Sequence, residues 1–392
     1  MAIIPIIKII EGEIVMRNNE QLKKDDLEIL YQPVSLGNLK LSNRIIMAPM
    51  TRGFSPNGIP GTDVAGYYER RAKNEVGLII TEGTLINHPA AAQGLGKPNF
   101  HGEAALGGWS QVVESVHKAG GKIIPQLWHV GMARQMTEEN PNPAALPIGP
   151  SGIDVASGKK VTVEMTLTEI NHIVEAFGEA AGDAKRLGFD GLEIHGAHGY
   201  LIDQFFWEKT NQRQDKYGGD LLARSQFAVE IVRACRQAVG PDFPIIFRYS
   251  QWKLGNYTAK LVETPDELSA FLAPLVEAGV DIFHCSTRRY WEPEFEGSSL
   301  NLAGWTKKIT GKPTITVGSV GLDNNFIEFF TEGKGAKPES LAPLIERLQK
   351  DEFDLVAVGR ALLADPAWAT KTHENRTDEL IPFEVGVEKT LS

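Results

Sequence analysis

Eight short apolar runs, separated by helical stretches, constrain this chain more than any other feature. They lie at residues 44–50, 77–82, 122–128, 189–195, 243–249, 280–286, 314–319 and 353–359. Segments such as GLIIT, PIIFR and LVAVG carry no alternation of polar and apolar positions. A strand that reads this way is buried on both faces, as in a parallel sheet covered by helices. The intervening stretches carry helix signals. Thr264-Pro265-Asp266-Glu267 places Thr at the cap, Pro at the first helical position and Glu at the third. The Thr oxygen can accept a free N–H and the Glu can reach back. Ile170, Ile173, Val174, Phe177, Ala181, Ala184 and Leu187 recur at spacings of three and four, which makes one apolar helix face. Gly188 and Gly279 then suit left-handed positions at helix C-termini.

Eight strand–helix repeats close most economically into an α/β fold of the (β/α)8 TIM-barrel type, in a single domain. An open doubly wound sheet is the competitor, and no G-x-G-x-x-G follows the first run to support it. Residues 31–375 form the expected barrel, with a small hairpin at 30–41 ahead of the first strand. Residues 133–166, rich in Pro and Gly, form a long loop after the third strand, and such loops are often lids. Residues 1–30 read as an N-terminal extension and 376–392 as a C-terminal tail. MAIIPIIKII at the start lacks the basic segment before it and the small-residue cleavage site after it that an export signal needs.

Composition narrows the function classes. No run of 18 apolar residues is present, so no membrane-spanning helix is expected. A net charge of −10 gives no general attraction for nucleic acid or anionic lipid. Cys235 and Cys285 are the only two cysteines, too few for an iron–sulfur cluster and in keeping with a reducing cytoplasm.

Barrel sites lie at the C-terminal ends of the strands. Gly318-Ser319 and Gly359-Arg360 end the seventh and eighth runs, where barrels often hold a phosphate: glycine admits backbone N–H groups to the anion and arginine adds charge. Turn glycines and a surface arginine are the plainer reading. His195, His198 and Tyr200 follow the fourth run. Two imidazoles on one tight turn can donate to a single oxygen, and a phenol can supply a proton to a basic carbon. The spacing alone equally allows a zinc site with Glu193 or Asp203, or a packed structural pair. Gln126 offers a donor and an acceptor to the edge of a base-like ring, or to buried backbone groups. Arg248 at a barrel mouth calls for an anionic partner. Trp128 suits a pocket wall or simple packing.

Taken in order, these segments resemble the old yellow enzyme family. The resemblance spans roughly residues 30–370. It is most specific in HGAHGYLIDQFFWEKTNQRQDKYGG (195–219), with SNRIIMAPMTR (42–52), GLIITEGT (77–84) and PQLWHVG (125–131) in support. FRYS, TVGSVG and VAVGRALLADP complete it. The resemblance implies FMN at the barrel mouth. Pro49, Met50 and Thr51 would line one side of the ring, Gly83 would sit under it, Gln126 would meet its pyrimidine edge and Arg248 its N1 and O2. Gly318, Ser319, Gly359 and Arg360 would hold the phosphate. It further implies that NADPH or NADH reduces the flavin and leaves, and that an enone or nitroalkene then binds through His195 and His198. Hydride would pass from flavin N5 to the β-carbon, a proton from Tyr200 to the α-carbon, and Trp128 would gate the shared pocket. The expected protein has no metal, nucleic-acid or membrane partner and is a monomer or homodimer. The two-domain relatives with an iron–sulfur cluster are set aside on length and cysteine count. Three departures stand out. His198 replaces the asparagine of other members. Asp220 and Ala223-Arg224 stand where Ser and Asn-Arg are usual. The loop TRRYWEPEFEG (287–297) is unlike that of the best-known members, and Tyr290 and Trp291 in it suit either a pocket wall or packing.

Overall fold

The computed structural model describes residues 24–392. The expected extension at 1–30 therefore lies largely outside the described residues. Its last part does not: Lys24–Tyr31 is a helix with Leu27 and Leu30 buried, so the boundary at 30 falls inside an element. The expected hairpin is correspondingly shorter, β1 (Val34–Leu36) paired antiparallel with β2 (Leu39–Leu41).

All eight apolar runs contain strands: β3 (Ile45–Met47), β4 (Leu78–Leu85), β5 (Ile123–Trp128), β6 (Leu192–His195), β7 (Ile245–Ser250), β8 (Ile282–Ser286), β9 (Thr314–Val317) and β10 (Leu355–Val358). Each pairs in parallel with the next, and β10 pairs with β3, which closes the barrel. Side chains alternate across each strand. Ile46, Leu78, Ile80, Ile124, Ile246, Ile282, Ile315 and Leu355 fill the interior, and Leu39 and Leu41 of the hairpin join them as a plug before β3. The opposite faces pack against the helical ring.

The caps read from sequence are present. Thr264 and Glu267 form a capping box on Pro265–Ala278, and Thr166 with Glu169 forms another on Leu167–Arg186. Gly188 and Gly279 have φ of 83° and 112°. Asp220 caps Leu221–Arg224 by accepting from Ala223 N–H at 2.9 Å. No helix among the described residues is long and apolar enough to cross a membrane.

Candidate active site

A cavity of about 460 Å³ opens at the C-terminal ends of the strands, within the range of small-molecule sites. The candidates Pro49, Met50, Thr51, Gly83, Gln126, Trp128, His195, His198, Tyr200, Arg248, Gly318, Ser319, Gly359 and Arg360 all line it. Strand alternation explains much of this. Ile246 and Arg248 share the inward face of β7, as do Ile282, His284 and Ser286 on β8, so polar residues succeed the apolar layer toward the mouth.

Directly above that apolar layer lies a buried polar one. Glu193 accepts from Gln126 Nε2 at 2.7 Å and from His284 Nδ1 at 2.6 Å, and both Glu193 and His284 are fully buried. An ionised carboxylate is acceptor-only. The Gln126 amide is thereby oriented with Oε1 away from Glu193, and His284 carries its proton on Nδ1. Arg248 is 7% exposed, and its Nε has no hydrogen-bond partner among the described residues. Burial lowers its pKa, opposed by the charge of Glu193.

His195 accepts from Ala197 N–H through Nδ1 at 3.3 Å, which leaves Nε2–H as its donor. His198 adopts φ 65°, a strained conformation for a side chain of its size. It is held there by its N–H on Ser250 Oγ and its carbonyl on Leu254 N–H. Burial first, then the charge of Arg248, keeps both imidazoles well below the usual histidine range, so both are neutral. The rings of His195 and Tyr200 meet edge to face at 5.1 Å. Burial raises the Tyr200 phenol to about 12, against the opposing pull of Arg248.

Several expectations change in detail. A Cβ on Gly83 would lie 2.6 Å from Trp128 Cε3, so the glycine makes room for the indole. A Cβ on Gly318, at φ 138°, would lie 2.7 Å from Thr287 O. The Arg360 guanidinium donates to Asn324 and Asn325 and stacks on Phe383 at 5.6 Å, so what it brings to the mouth is chiefly charge. The carboxylates of the zinc alternative are committed elsewhere: Asp203 to Lys253 at 2.8 Å and to Gly199 N–H, Glu193 to Gln126 and His284. The loop 133–166 contributes no residue to the lining of the cavity, though its Val155 packs beside Gly199 of the His198–Tyr200 turn. Arg134 ties it to Ala92, and Arg213 ties it to the segment after β6 by donating to Pro150 O and Met165 O. In the loop 287–297, Tyr290 is buried and packs edge to face on Trp291, and only Thr287 reaches the cavity.

Sequence reading missed the outer wall. Trp252, Leu254, Ser286, Phe329, Phe383 and Glu388 also line the cavity. Ser286 was available from strand alternation. Phe329 comes from the helix Phe326–Glu332 after β9, and the others come from the loop after β7 and the tail, which no local pattern places.

A profile of the NADH:flavin oxidoreductase / NADH oxidase family matches residues 29–379. The chain belongs to that family. The resemblance to old yellow enzymes is thereby established, and the relatives bear it out. The chain is 34% identical over 363 residues to NADH oxidase of Thermoanaerobacter brockii, covering 90% of this chain and 52% of that protein. It is 37% identical over 225 residues to 12-oxophytodienoate reductase 7 of Oryza sativa subsp. japonica, covering 54% and 56%. The chain spans about half the length of these curated relatives. Morphinone reductase solved with tetrahydroNAD superposes with a TM-score of 0.73 at 29% identity, covering 90% of this chain and 91% of that one.

Proposed function

We propose that this flavin oxidoreductase is an FMN-dependent ene-reductase, which takes hydride from NADPH or NADH and reduces the activated C=C bond of α,β-unsaturated carbonyl or nitro compounds. The observation that carries this reading is the gathering of two neutral imidazoles and a protonated phenol on one turn, beside a buried arginine.

The residues fit FMN. Arg248 is a buried cation with an unpartnered Nε, and it suits the electron-rich edge of a flavin. Gln126, oriented by Glu193, offers Oε1 and its second N–H to an amide edge. Pro49, Met50 and Thr51 would flank the ring, and Gly318, Ser319, Gly359 and Arg360 would hold the phosphate by main-chain N–H groups and charge. Bound FMN supplies a two-electron carrier that accepts hydride from a nicotinamide and delivers it to an alkene. Arg248 stabilises the negative charge that develops on reduction. His195 and His198 hold the substrate oxygen and draw electron density from the double bond. Tyr200, protonated at neutral pH, gives its phenolic proton to the α-carbon. Trp128 and Tyr200, edge to face at 5.0 Å, wall the pocket for a small apolar substrate. The buried thiols of Cys235 and Cys285, both free, suit a reducing cytoplasm.

The test is an anaerobic absorbance spectrum of the purified protein, titrated with NADPH or NADH and then 2-cyclohexenone. A flavin band that bleaches with the nicotinamide and returns with the enone is expected. A colourless protein that takes up no added FMN overturns the reading.

A further inference from the structure

Ser286 ends β8 with its side chain on the inward face, in line with Ile282 and His284. Its Oγ lies 2.8 Å from His198 Nε2 and 3.4 Å from Arg248 Nη2. A guanidinium has donors and no acceptor. Arg248 therefore uses a lone pair of Ser286 Oγ, and the serine proton must point elsewhere. Among the described residues the group placed to accept it is His198 Nε2, provided that nitrogen is unprotonated. Ser286 is 3% exposed, and a buried hydroxyl without an acceptor is costly.

The imidazole is also clamped. Trp252 stacks on it at 4.3 Å with an interplanar angle of 18°, and Trp252 Nε1 donates to Ser286 O at 3.2 Å. Ser250 Oγ accepts the His198 N–H and donates to Trp252 O. His198 lines the cavity, is held neutral by burial and by Arg248, and so carries a single ring proton.

We propose that Ser286 is a positioning residue: by donating to His198 Nε2 it sets His198 in the Nδ1–H tautomer, so that Nδ1 is the atom that donates to a ligand oxygen. The donor chain then runs from Arg248 Nη2 to Ser286 Oγ, from Ser286 O–H to His198 Nε2, and from His198 Nδ1–H to the ligand. His195 offers Nε2–H, because its Nδ1 accepts from Ala197. The two histidines thus present donors through different ring nitrogens. A carbonyl or nitro oxygen accepts both. Only the identity of the ligand rests on the ene-reductase reading.

The experiment is a long-range ¹H–¹⁵N correlation spectrum of the oxidised holoenzyme labelled with ¹⁵N-histidine, the His198 signals assigned by their loss in His198→Gln. The expected result is a protonated Nδ1 and an unprotonated Nε2 at His198. Ser286→Ala should lose that preference and Ser286→Thr, which keeps the hydroxyl, should retain it. An Nε2–H tautomer in the wild type overturns the proposal, whether or not the variants fold. So does a Ser286→Ala spectrum unchanged from wild type in a variant that retains FMN. With the hydroxyl gone, KM for 2-cyclohexenone should rise about tenfold, and Ser286→Thr should stay near wild type. The spectrum reads a nitrogen rather than turnover. A wild type that shows the Nδ1–H tautomer but reduces no enone would fault the ene-reductase reading and leave the tautomer standing.

Discussion

Tyr200 keeps its proton across the whole physiological range because its ring is buried, although the Arg248 cation pulls the other way. Removing that proton alone should separate the two halves of the proposed reaction. Tyr200→Phe should slow enone reduction by about 10²- to 10⁴-fold, the usual range for a general acid. Flavin reduction by NADPH needs no proton from this group and should change little. Stopped-flow traces of each half distinguish the cases, and equal slowing of both would remove Tyr200 from the role. Gly83 offers a second test. A methyl there must displace the Trp128 indole, which lies 2.6 Å from the added carbon. Gly83→Ala should cost about 1–3 kcal/mol, the usual range for overpacking, with a lower Tm and a raised KM for the enone. At this level strand ends and alternation made most of the site legible, since both are local properties. Hydrogen-bonding partners were not. Nothing in GLIITEGT says that its glycine faces an indole 45 residues away, because that approach follows from the register of β4 against β5.

The end of β6 and the turn from it to the helix Leu201–Phe206 carry the three groups proposed to meet substrate, and a fully buried ion pair holds the turn. Lys253 Nζ lies 2.8 Å from Asp203 Oδ1, while Asp203 Oδ2 accepts from Gly199 N–H. Lys253→Met leaves a carboxylate buried without its cation, and such losses cost about 3–5 kcal/mol. Chemical denaturation should show a loss of that size. Lys253→Met with Asp203→Asn, which removes the stranded charge as well, should recover part of it. An unchanged Tm in the single variant would show that the pair does not support the turn. Helix caps and barrel strands were legible because each rests on residues within a turn or on an apolar run. The length of the loop 133–166 says nothing of its moorings. Arg134 and Arg213 fix its path, and their partners are set only by the fold.

Across the molecule, burial lowers the pKa of six histidines: His88, His101, His129, His195, His198 and His284. For His88 the fall is from 6.5 to about 4. Between those values the unfolded chain binds more protons than the folded one, so stability rises with pH and is lost as pH falls. Glu82, Asp203 and Glu294 are shifted upward by burial and oppose this trend, Glu82 reaching about 7. The histidines are the more numerous, and the Tm of the holoenzyme should fall as pH drops from about 6.5 to about 4. A flat profile over that window would show that these rings do not stay neutral in the folded state. The C-terminal segment is likewise a property of the whole. Arg52 donates to Glu388 O and Thr390 O, while Phe383 and Glu388 reach the cavity. The amino-acid sequence by itself determined the eight strands, their burial, the helix ends and the residues at the strand tips, because periodicity, capping and backbone sterics act over a few neighbours. Only the tertiary structure decided which nitrogen of each histidine is free, what the glycines make room for and which distant segments wall the cavity. Those depend on atoms far apart in the chain, whose meeting no local energy specifies.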